Sequence, residues 1–283
     1  RAIDLSAVAG GSGGFVINGD STSKYSGASV SAAGDVNGDG LADLIVGAYG
    51  ANRAGGRSYV IFGNTSGAFG QTMVNWMGTD AADTQSDGGV AQTLVAGAGN
   101  DSLTATAASV LYGGAGNDSF TIDSSMITAL QNPMGSGGNV DRLARIDGGS
   151  GLDKVVLTGS ALTFDLSLVA NQAASNPDGG SRMDSVEIFD ITGSGNNILK
   201  LTAKDVLELG SANLFANTGR QQVLVKGNAG DTVDFAEPIS NTAWKKGSNI
   251  ILDDGVTYMT YNYSNAVTPA LATVYVQNYM TVL

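Results

Sequence analysis

Cysteine and histidine are both absent from the 283 residues. Without cysteine there is no disulfide framework, no thiol nucleophile and no thiolate-bound zinc. Without histidine, Ser-His-Asp and Cys-His catalysis and imidazole-ligated zinc are excluded. Proline occurs four times, too seldom for a Pro-rich stalk. Charged residues make up only 14% of the chain, against about a quarter in ordinary domains. No apolar run reaches the ~18 residues of a membrane-spanning helix. Glutamate is scarce too: Glu187, Glu208 and Glu237 are the only ones among 26 acids, which leaves 23 aspartates.

What is abundant is glycine, at 41 positions, pointing to many tight turns between short strands. Apolar residues, at 42%, suffice for a packed core in one large or two ordinary domains. Aspartate is favoured over glutamate where a short acid must fold back on a turn or offer an oxygen to a hard cation. The net charge of −12 disfavours nucleic acid or an anionic membrane as a partner, and no membrane insertion is expected. The chain opens on Arg1 with no signal-peptide pattern, so a monomeric segment of a longer protein is expected.

Three textures follow one another. Residues 1–78 alternate β-rich runs with glycine turns, as in 14–19, 44–47 and 58–63, and read as one antiparallel unit. Residues 79–155 are rich in Gly, Asp, Asn, Ser and Ala. Residues 156–283 return to strands, and are expected to form a β-rich sandwich or solenoid-like block, possessed of few short helices. Ser124–Gln131 is expected to form a serine-capped helical turn. Thr202–Leu209 is expected to be a helix capped by Thr202 and stopped by Gly210. The fold class expected is all-β.

The sharpest pattern is Asp35-Val36-Asn37-Gly38-Asp39-Gly40-Leu41-Ala42-Asp43. Oxygen-bearing side chains fall at every second position, with glycines to permit a tight loop. Asp35, Asn37, Asp39, Asp43 and the Leu41 carbonyl form a candidate calcium site. An EF-hand would need glutamate at its twelfth position, where Val46 stands, so the loop is of another kind. With its flanks, from Phe15 to Gly63, it resembles the FG-GAP repeat of integrin α-chains and bacterial surface proteins. That resemblance implies a propeller-blade fold whose loop holds calcium, although one repeat does not close a propeller. An Asx-rich turn without metal is the plainer alternative.

Two near-copies of a phrase, Ala96–Leu103 and Gly113–Phe120, and a looser one, Gly148–Val155, are similar to the Gly-Gly-x-Gly-x-Asp-x-apolar-x repeat of RTX proteins. There, calcium sits between the stacked turns of a β-roll, so the resemblance implies short β-roll-like turns in this segment. The resemblance implies as ligands Asp101, Asp118 and Asp153, with carbonyls from Gly97, Gly99, Gly114 and Gly116; ordinary Asx turns are the alternative. Asp80, Asp83 and Asp87 read either as another cation site or, more simply, as a solvated loop. Asp184, Asp190, Asn196, Asn197, Asp231 and Asp234 fit turn chemistry as well as metal. The aromatics Trp76, Trp244 and Tyr258 to Tyr279 suit core packing more than a sugar- or peptide-binding face.

Together these resemblances imply a calcium-binding extracellular module of a large, type I-secreted bacterial RTX adhesin, folded by calcium (Ca2+) at the cell surface. It would bind a cell-surface peptide or glycan and catalyse nothing. A structural spacer and a carbohydrate-active enzyme with paired aspartates are the alternatives. No charged side chain occurs between Gly255 and Leu283, which suits a buried closing strand or a transporter-read tail.

Overall fold

A computed structural model describes residues 17, 25–34, 36, 43–50, 56–63, 74–140, 142–171, 181–236, 243–264 and 271–283. The chain divides into two compact units, Arg1–Asn75 and Trp76–Leu283. Both are built of β-strands, as the composition implied.

In the first unit β1 (Ser26–Gly34), β2 (Asp43–Ala48) and β3 (Arg57–Ile61) form an antiparallel meander. Val30 pairs with Val46 and Val46 with Tyr59, so β-branched and aromatic side chains share one face. The strand expected around 14–19 lies outside the described residues except for Ile17, which is exposed.

The second unit is a parallel solenoid. Three sheets run along it. The first contains β4 (Trp76–Met77), β6 (Thr93–Ala98), β8 (Val110–Ala115), β10 (Arg145–Ser150) and β13 (Met183–Asp184). The second contains β5 (Thr84–Ser86), β7 (Ser102–Ala105), β9 (Ser119–Ile122), β11 (Lys154–Leu157), β14 (Ile188–Asp190), β17 (Gln221–Lys226) and β21 (Ala272–Gln277), all paired in parallel. The third contains β12 (Thr163–Asp165), β15 (Ile198–Leu201), β18 (Thr232–Phe235) and β22 (Thr281–Val282). Each pass through the sheets is one rung. The solenoid runs across residue 155 without interruption, because β11 itself spans it.

Stacking in register creates the core. Leu103, Phe120, Val155, Phe189, Val225 and Val276 lie directly over one another on successive rungs, each at most 1% exposed. Leu94, Leu111, Ile146 and Met183 do the same in the first sheet. Each such side chain contributes about 1.5–3 kcal/mol of burial. A single rung has too little interior to hold alone; each is stabilised by its neighbours.

The helix α1 (Ser124–Leu130) forms where expected, but Asp123 rather than Ser124 caps it, accepting from the N–H groups of Ser125 and Met126. The helix end is held from a distance by buried Arg182, which donates to the carbonyls of Ala129, Asn132 and Ala144. The second helix, α2 (Ala203–Leu209), has the expected Thr202 cap, completed by Asp205 as a capping box, and stops at Gly210. Near the far end β19 (Trp244–Ile251) and β20 (Thr257–Tyr263) form a hairpin on β21. Trp244, Tyr258, Tyr261 and Tyr275 are buried, with Phe235 stacked on Trp244 at 4.4 Å. These aromatics serve packing. The uncharged C-terminal stretch supplies closing strands: β21 lies between β17 and β20, and β22 pairs with β18.

Candidate metal centre

The turns that join the first sheet to the second stack on one side of the solenoid. Gly97, Gly114 and Gly149 lie in register, as do Ala98, Ala115 and Ser150. The 17-residue offset between the two near-copies is one rung, and the looser copy follows 35 residues later because α1 and its loop are inserted there. Gly99, Gly116 and Gly151 all have φ between 116° and 142°, where side chains are strained. They also have no room. A β-carbon on Gly116 would overlap the Gly99 carbonyl oxygen, and one on Gly151 would overlap that of Gly116. Only glycine lets consecutive turns approach this closely.

The residues after these glycines tie the rungs together in both directions. Asn100 Oδ1 accepts the Asn117 N–H of the next rung at 2.7 Å, and Asn117 Oδ1 accepts that of Leu152 at 2.9 Å. The adjoining acids reach backward. Asp101 Oδ1 accepts the Asp83 N–H (2.7 Å), Asp118 that of Asp101 (2.8 Å) and Asp153 that of Asp118 (2.7 Å). Glu187 Oε2 continues the series on the Asp153 N–H at 3.0 Å. A file of acids therefore runs up the turn column at sequence steps of 18, 17, 35 and 34. Its ends are closed by hydroxyls. Thr79 donates its N–H and Oγ1 to Asp83 Oδ2, and Ser211 Oγ donates to Glu187 Oε1.

The second carboxylate oxygens behave differently. Asp101, Asp118 and Asp153 are 2%, 2% and 0% exposed, and the Oδ2 atom of each is buried without a hydrogen-bond partner among the described residues. Asp118 Oδ2 and the Gly148 carbonyl oxygen converge on the space a β-carbon of Gly113 would occupy. Asp153 Oδ2 and the Ser185 carbonyl oxygen do so beside Gly148. A buried carboxylate oxygen without a donor is costly unless it is protonated or meets a positive charge. Burial accordingly pushes all three acids up. Asp118 rises to about 6 and Asp153 to about 7; backbone N–H bonds offset part of the shift and neighbouring acids add to it. Glu187 is raised mainly by burial. Among the described residues no three acidic side chains converge on one point. Carboxylate and carbonyl oxygens are the donor types calcium uses.

The other expected ligands fall as follows. Asp35, Asn37, Asp39 and Leu41 lie outside the described residues. Asp43 is buried, and its two oxygens accept the N–H groups of Val36 (2.7 Å) and Gly63 (2.8 Å), tying the loop's end to the end of β3. Gly97, Gly99, Gly114 and Gly116 build the turn column, but the carbonyls that meet the unpartnered oxygens belong to Gly148 and Ser185. Asp87 is saturated by Gly89, Thr106, Ala107 and Ser109, so it shapes a turn. Asp83 joins the file while Asp80 stays exposed. Asn197 and Asp231 form a second ladder, described below. Sequence reading missed Glu187. Its signal was position: it follows Asp153 by 34 residues, nearly the 35 that separate Asp118 from Asp153.

A family model for the FG-GAP repeat matches residues 26–61. No curated protein and no solved structure matches the chain. FG-GAP repeats are typically extracellular and consistent with an adhesion-type module. No helix among the described residues is long and apolar enough to cross a membrane.

Proposed function

We propose that the chain is a calcium-binding, calcium-folded module of a large RTX-type adhesin secreted to the bacterial surface, where it supports attachment to a peptide or glycan. The observation that carries this reading is the file of buried acids with three carboxylate oxygens left without donors. Bound calcium would supply the positive charge that these oxygens need. The chain's own residues do the rest: glycines bring the turns together, asparagines fix the rung spacing, and the acids present oxygens inward. At low cytosolic calcium the file repels itself and the glycine-rich chain stays slack for export; millimolar calcium outside would order it.

The reading is of binding rather than catalysis. Asp118 and Asp153 have the raised pKa values of general acids, but both are sealed between rungs, away from any substrate. Attachment has a candidate place in the first unit, a cavity of about 590 Å³ lined by Ser29, Gly47, Tyr49 and Arg57 among others. Tyr49 stacks on Tyr25 there with ring centroids 4.8 Å apart. Coating beads with the chain and exposing them to peptide and glycan arrays, with calcium and with chelator, tests the proposal. Retention on a class of ligand in calcium alone is expected. Retention on none in either buffer would make the module a spacer.

A further inference from the structure

The acid file does not stop where the glycine-rich phrases stop. Between Asp147 and Lys154 the chain runs through Gly148 to Asp153; between their register partners Asp184 and Ile188 it has only Ser185, Val186 and Glu187. The short turn carries glutamate instead of aspartate. Its longer side chain places a carboxylate on the preceding rung's N–H, the position each aspartate holds lower in the file.

We infer that the step from Asp153 to Glu187 is a further site for a hard divalent cation, one rung beyond the repeats, with Asp153 Oδ2, the Ser185 carbonyl and Glu187 as its oxygens. The inference rests on the calcium reading above. Three observations support this step in particular. Asp153 is fully buried and its Oδ2 has no donor. That oxygen and the Ser185 carbonyl oxygen both press on Gly148, the first 2.5 Å from where its β-carbon would stand and the second nearer still, so two oxygens from adjacent rungs lie against the same glycine. The charges acting on Asp153 come from Asp118, Glu187 and Asp147, all of them negative. Glu187 is itself 2% exposed, and its carboxylate is steadied by the Asp153 N–H and the Ser211 hydroxyl, which leaves lone pairs on both oxygens. A methyl group at Gly148 would clash with both oxygens.

Counting bound calcium on the full chain by equilibrium dialysis and native mass spectrometry tests the inference. Glu187→Gln keeps the acceptor for the Asp153 N–H and removes the charge. It should lose one calcium per chain, while Asp118→Asn loses calcium lower in the file. Glu187→Asp keeps the charge but withdraws it by a methylene, and should weaken one site at least tenfold. It also serves if the glutamine variant does not fold. If wild type and Asp118→Asn differ but both Glu187 variants match wild type in number and affinity, the file ends at Asp153 and the inference is overturned. If wild type itself binds no calcium in the file, the underlying reading fails and takes this one with it.

Discussion

Two ladders climb the same solenoid, and they differ in one respect. In the first, each acid from Asp101 to Glu187 accepts a backbone N–H from the preceding rung, and three of them keep a second oxygen without a donor among the described residues. In the second, Asn197 Oδ1 accepts the Leu162 N–H and Asp231 Oδ1 accepts that of Asn197, again one rung apart. There the remaining groups are matched: Asn197 Nδ2 donates to the Ile191 carbonyl and Asp231 Oδ2 accepts the Asn228 N–H. An amide brings its own donor, and a turn N–H supplies the other. The second ladder therefore closes on protein alone. The first leaves three carboxylate oxygens open among the described residues, which a proton or the proposed cation would satisfy. Turn chemistry by itself explains buried Asp231; it does not explain buried Asp118 and Asp153.

The comparison breaks most visibly on chelation. Removing calcium should lower the melting temperature by well over ~10 °C, because several sites bind only the folded chain. Calorimetry in calcium and in chelator reads this, and overlapping curves would place the two ladders on the same footing. A smaller effect separates them by mutation. Asp231→Ala leaves the buried Asn197 N–H without an acceptor and should cost about 1–3 kcal/mol equally in both buffers. Asp153→Asn should instead shrink the difference between the buffers. Denaturant unfolding of both variants, with and without calcium, distinguishes the two behaviours.

Acidity sharpens the contrast in the opposite sense. Burial raises Asp118 to about 6 and Asp153 to about 7 in the fold, above the 3.8 of an ordinary aspartate. Without cation the folded chain therefore binds more protons than the unfolded one between these limits. Their contribution to stability in chelator is fully present below 3.8 and is lost as pH rises through 6 and 7. In calcium the order reverses, because protons compete for the same oxygens. Melting temperatures at pH 5 and pH 8 in each buffer read the crossing. The smallest effect is at the file's end, where Ser211→Ala removes one hydrogen bond from Glu187 and should cost about 0.5–1.5 kcal/mol.

Much of this was legible in the residues, and the remainder was hidden for a physical reason. The Gly-Asn-Asp phrases announce themselves because close approach of turns tolerates nothing but glycine, and Asp153 was reachable through its looser copy. The all-β class and the Thr202 helix followed from turn density and capping chemistry. Stacked turns were implied by the RTX-like phrases, but for residues 156–283 sandwich and solenoid stood side by side, since strands as short as Ser119–Ile122 look alike in either direction. Glu187 was invisible to pattern because its turn has lost the glycines, and only rung spacing reveals it. The carbonyls of Gly148 and Ser185 carry no side-chain signature at all. The Asp87 turn and the Asp231 ladder show the converse, acids whose burial is settled by N–H groups that sequence spacing does not expose.

Calcium titration by isothermal calorimetry at pH 7.5, on the metal-free chain and on the triple variant Asp101→Asn, Asp118→Asn, Asp153→Asn, tests the central claim most directly. Saturable binding that the triple variant loses in large part, with any first-unit site left intact, is the predicted result. Identical isotherms for the two proteins would contradict it.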